Sequence, residues 1–108
     1  MKLHITASKK KVFEKIIEDA TMDCYGEYEQ ISGWVCLLDD NIPTPCDCII
    51  GEEHVVLEKI ETDNNGMVVI GSIKLNKTKM RVLIQDIVLQ NQNAMNYIDA
   101  YTYWCKNG

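Results

Sequence analysis

The residues of this chain whose types and spacing could do chemistry are carboxylates, and they gather in two places. Asp23, Glu27 and Glu29 surround a turn at Gly26, while Asp39, Asp40 and Asn41 stand directly before Pro43 and Pro45. A calcium ion takes about six to eight oxygen ligands, mostly carboxylates, completed by amide and backbone carbonyls. The first cluster offers three carboxylates. The second offers two and an amide, at a helix end whose last carbonyls are expected to lack intrahelical partners. A cation there would relieve both the carboxylate repulsion and the unfavourable meeting of negative charge with the negative end of the helix dipole. If one helix carries both clusters, about ten residues or roughly 15 Å separate them, so they cannot share one ion directly. They would form two sites, or one site completed from elsewhere; each could also be no more than a solvated helix end.

Other constellations are weaker. Glu61-x-Asp63-x-Asn65-Gly66 imitates the first half of an EF-hand loop, but Ser72 stands where a bidentate Glu is required and both flanks read as strand. It is read as a hairpin turn. Cys46-x-Cys48 is half of a zinc pattern with no second pair to complete it. His4 and His54 are isolated, and no nucleophile, phosphate loop or cofactor fingerprint accompanies the acids, so an enzyme is not expected. Five cysteines with no apolar leader in Met1–Val12 suggest reduced thiols and a cytoplasmic protein.

Charge sharpens the picture. The 108 residues carry a net charge of −5, with 46% apolar and 25% charged residues. Eleven acids lie between Glu14 and Glu53, answered only by Lys15, whereas from Val55 onward six bases balance five acids. Such a concentration repels itself and reads as a solvated acidic face that keeps a small protein soluble, as a site for a metal cation, or as a surface for a basic partner. It argues against nucleic acid, whose binders need the opposite sign. No apolar run approaches the roughly 18 residues of a membrane span.

The elements that must position these acids follow from periodicity. Ser8 can cap a helix to about Ala20 with Val12, Phe13, Ile16, Ile17 and Ala20 on one stripe. A second helix runs from Glu27 to about Leu38, with Tyr28, Ile31, Val35 and Leu38 on one side and Trp34 beside them. The two prolines then stop it. From Cys46 the period becomes two, over Cys46–Ile50, His54–Ile60, Met67–Leu75 and onward from Met80, with Asn65-Gly66 as the hairpin signal. Asn93 can cap a closing helix whose stripe is Ala94, Tyr97, Ile98, Tyr101, Trp104 and Cys105. The expectation is an α+β domain spanning 1–108: helical over 8–40, β-rich over 46–89 as a small antiparallel SH3-like barrel or rolled sheet, and helical again over 93–105.

The stretch Asp23-x-Tyr25…Glu27-x-Glu29-x-x-x-Gly33-Trp34…Leu38-Asp39-Asp40-Asn41-Ile42-Pro43-x-Pro45 resembles the small calcium-binding proteins first known from cyanobacteria, the CcbP-like family. The ending Ile98-Asp99-Ala100-Tyr101-x-Tyr103-Trp104 is similar to that family's closing acidic-aromatic element. Thr44 and Cys46 depart from its pattern. The resemblance implies a cytosolic calcium binder without EF-hands, acting as buffer or sensor, with Asp23, Glu27, Glu29, Asp39, Asp40 and Asn41 as ligand candidates. The alternative class is an acidic interaction module, such as an immunity protein or inhibitor that covers a basic toxin or nuclease. There, acids spread over one face would steer association and Tyr25 or Tyr28 would anchor the partner.

Overall fold

The computed structural model describes residues 6–107. Helix α1 (Ala7–Thr21) and helix α2 (Glu27–Asn41) are followed by four strands: β1 (Cys46–Ile50), β2 (Glu53–Thr62), β3 (Val69–Leu75) and β4 (Thr78–Leu83). A short 3-10 turn (Ile84–Asp86) then leads to helix α3 (Gln92–Asn107). The class is α+β, as the sequence indicates.

The strands form an antiparallel meander in the order β1-β2-β3-β4. Turn chemistry sets each connection. Ile50 pairs with Glu53 across Gly51, whose φ of 61° suits glycine, and Leu75 pairs with Thr78 across Asn76-Lys77 with Asn76 at φ 56°. The β2–β3 turn is longer than a two-residue Asn-Gly hairpin. Asp63 Oδ1 accepts from the Met67 and Val68 N–H groups at 2.8 and 3.2 Å, and Gly66 takes φ 69°. The Asp63 side chain thus closes the turn, and Met67 sits in it instead of on the strand face. Val88, beyond the 3-10 turn, bridges to Ile49, so the free edge of β1 is met by the segment that follows β4.

The core lies where α2 crosses β2 and β3, with α1 packed on α2 and α3. Trp34 and Leu38 of α2, Leu57 of β2, Val69 of β3 and Ile98 of α3 are fully buried. The Trp34 indole meets Tyr101 edge-on at 5.3 Å between ring centroids and Trp104 at 5.7 Å. The Tyr101 hydroxyl accepts the buried Val69 N–H at 3.1 Å and so ties α3 to β3. Beside Trp34, Gly33 lets the chains approach: a Cβ there would collide with the Ala20 carbonyl at the end of α1.

Some local expectations shift by a few residues. Thr6, not Ser8, caps α1 by accepting from Lys9 N–H at 3.1 Å. Asn91, not Asn93, caps α3 by accepting from Ala94 N–H at 3.0 Å. Ile84 leaves the strand for the 3-10 turn and is fully buried there. Tyr28, placed on the apolar stripe of α2 by periodicity, is 65% exposed because the stripe that meets the sheet and α3 is Ile31, Trp34 and Leu38.

Two outcomes test this description. Gly33→Ala gains helix propensity but forces backbone apart, and we expect a net loss of about 2 kcal/mol by chemical denaturation, within the range for overpacking. Asp63 is held below the usual carboxylate range, chiefly by the Met67 N–H. A depressed folded pKa adds stability above the unfolded value of about 3.9 and loses it as the pH falls through the folded value. Asp63→Ala should therefore melt below the parent protein at neutral pH, with the gap narrowing below about pH 4.

Candidate functional site

The two acidic clusters end up at opposite ends of α2, and the structure gives them different settings. At the N-terminal end, Asp23 occupies the left-handed region at φ 59°, a conformation Asp tolerates better than most residues. Glu27 and Glu29 stand in the first turn of the helix, where negative charge is favourable. Glu29 accepts from the Tyr25 N–H at 3.2 Å, so one of the three carboxylates already serves as a cap.

At the C-terminal end Asp39 and Asp40 are exposed and take no part in an ion pair among the described residues. Leu38 carbonyl accepts from Ile42 N–H and Leu37 carbonyl from Asn41 Nδ2, both at 2.8 Å. Pro43 and Pro45 have no N–H to offer the Asp39 and Asn41 carbonyls, and Thr44 N–H goes to the Ile42 carbonyl. Asn41 keeps its Oδ1.

Asp39, Asp40 and Asn41 line a cleft of about 1210 Å³ between the C-terminal end of α2, the outer side of α1 and the start of α3. Asp19 of α1 and Asn93 of α3 line the same cleft, as do Lys11 and Lys15. Sequence reasoning missed Asp19 and Asn93, which stand 20 or more residues before Asp39 and 50 or more after Asn41. Only the packing of α1 and α3 on α2 brings them near, and no local pattern carried that signal. Asp19 is paired with Lys15 at 3.2 Å, an exposed pair one helical turn apart. Asn91 and Asn96 also line the cleft but spend their oxygens on the Ala94 N–H, and on Lys9 Nζ and Gln92 Nε2.

The donor set is entirely oxygen, which suits a hard cation and not zinc or copper. It is not assembled into a cage: among the described residues, no three His, Cys, Asp or Glu side chains are grouped to hold a metal ion. Cys46 and Cys48, two apart on β1, do not extend the set. Burial pushes the Cys48 thiol up to about 11, with the neighbouring Cys46 adding to it, so it is an inert core thiol. His54 is exposed, and His4 lies outside the described residues. Among the described residues no helix is long and apolar enough to cross a membrane.

No family model and no curated protein matches the chain. Two solved structures resemble it closely in shape. The crystal structure of Anabaena CcbP superposes with a TM-score of 0.75 at 16% identity, covering 97% of this chain and 95% of that one. A calcium-binding protein in its calcium-binding form gives 0.74 at 19% identity, covering 95% of this chain and 98% of that one. Over nearly its whole length this chain has the fold of CcbP.

Proposed function

We propose that the protein binds calcium in the cleft at the C-terminal end of α2. The observation that carries this reading is the lining of one cleft by Asp19, Asp39, Asp40 and Asn41, on a fold shared with a calcium-binding protein. Asp39 and Asp40 supply adjacent carboxylates, Asn41 its Oδ1, and Asp19 a third carboxylate from across the cleft. Calcium in the cleft would offset the repulsion between the two aspartates and their clash with the helix dipole.

Because the ligands are not pre-gathered, part of the binding energy goes into drawing them together. Recruiting Asp19 is inexpensive, because an exposed ion pair one turn apart, such as Lys15–Asp19, is weak in water. Calcium would thereby clamp α1 to the end of α2 and raise stability by mass action. A buffer needs no more than this. A sensor also needs a second conformation, and Trp34, buried on the same helix, is the natural reporter of one.

The reading is tested by calorimetric titration of chelator-stripped, reduced protein with calcium, and with magnesium as control. We expect saturable binding that Asp39→Ala/Asp40→Ala abolishes and Lys15→Gln strengthens. Absence of heat and of any thermal shift at millimolar calcium would rule the reading out. A calcium-dependent change in Trp34 emission would favour a sensor, and its absence a buffer.

A further inference from the structure

The opposite end of α2 carries a surface that calcium does not explain. Tyr25 is 89% exposed and Tyr28 65%, and Met22 beside them is 58% exposed. The Tyr28 ring lies against Gly66 of the β2–β3 turn, where an added Cβ would approach it to 3.2 Å, and the exposed Met67 follows in that turn. Tyr28 thus joins the start of α2 to the β2–β3 turn, and Met22, Tyr25 and Met67 are exposed within six residues of that contact along the chain. Contiguous exposed apolar side chains mark an interaction site. Tyrosine suits that role, because it supplies large contact area with few rotatable bonds to freeze.

The charge around this surface selects the partner. Asp23, Glu27 and Glu29 stand between and beside the tyrosines, and no Lys or Arg occurs between Lys15 and Lys59. None of the three enters an ion pair among the described residues. The cap from Glu29 to the Tyr25 N–H fixes one ring's backbone next to a carboxylate. A shallow groove lined by Cys24, Tyr28, Glu29, Ser32, Gly33 and Cys36 continues from Tyr28 along α2. Its walls are those a Lys or Arg side chain wants: apolar atoms and a ring face for the stem, and a carboxylate at the rim for the charged head.

We propose that this face docks a basic segment of a partner protein, with Tyr25 and Tyr28 as anchors and Asp23, Glu27 and Glu29 pairing its Arg or Lys side chains. The proposal is independent of calcium binding at the other end of the helix.

The test uses the full chain and two labelled peptides, one of alternating arginine and leucine and one with glutamate in place of arginine, followed by fluorescence anisotropy. The arginine peptide should bind saturably and release with added salt. Tyr25→Ala/Tyr28→Ala should weaken it about tenfold, a loss typical of aromatic anchors. Both rings are exposed, so the melting temperature should hold. Glu27→Lys, which leaves both rings in place, should weaken binding as well, while Asp39→Asn/Asp40→Asn should leave it unchanged. The proposal is overturned by equal binding of the glutamate peptide, by undiminished affinity in the tyrosine variant, or by no saturable binding at millimolar peptide. Concentration-dependent dimers in sedimentation that the tyrosine variant abolishes would overturn it too, by assigning the face to a second copy of this chain.

Discussion

Everything in this molecule is arranged around the close approach of α1, α2 and α3 at Gly33 and Trp34. Gly33 has no side chain to hold the Ala20 carbonyl away, so α1 lies against α2 at backbone distance. The neighbouring indole fills the space below, between Tyr101 and Trp104 of α3. Aromatic contacts of this kind add about 0.5–1.5 kcal/mol each to the area they bury. Tyr101 in turn binds the β3 backbone, so one cluster joins all three helices to the sheet. The indole N–H is the exception: it is buried without a hydrogen-bond partner among the described residues, a cost that this packing must outweigh.

With α2 fixed in this way, its two ends are presented to solvent in fixed but different company. The C-terminal end looks into a cleft walled by α1 and α3, lined by carboxylates and amides from three elements. The N-terminal end lies beside the β2–β3 turn, where the neighbours are tyrosine and methionine. The same residue type therefore acquires different chemistry at the two ends. Acids at the first turn agree with the helix dipole and one of them caps it, whereas acids at the last turn oppose it. The conflict at Asp39 and Asp40 is an energetic cost that a cation would remove.

Much of the fold was legible in the sequence, because the stripes that build it are local. Phe13, Ile16 and Ala20 on α1, and Ile31, Trp34 and Leu38 on α2, repeat at helical spacing and are buried as that spacing requires. The change to alternation at Cys46 marks the first strand where it begins. Caps were harder to place, since Thr6 and Ser8 are both competent and so are Asn91 and Asn93. The choice falls on whichever residue stands where packing starts the helix. Periodicity misjudged Tyr28, because a stripe of apolar residues says that a face can be buried and not how far the covering layer extends.

The sequence by itself determined the carboxylate-rich half of the chain, the helix that bears it, the Gly-Trp pair and the alternating strands. These are properties of neighbours a few residues apart, which is the range over which helix and strand periods act. Only the tertiary structure decided that Asp19 and Asn93 share a cleft with Asp39, that Asn91 and Asn96 spend their oxygens elsewhere, and that Tyr25 and Tyr28 face solvent, with Tyr28 against Gly66 of the β2–β3 turn. Those groupings depend on how α1, α3 and the β2–β3 turn pack around α2. Side chains from segments remote along the chain meet only once the close contact at Gly33 and the aromatic cluster at Trp34 have fixed the directions of the helices.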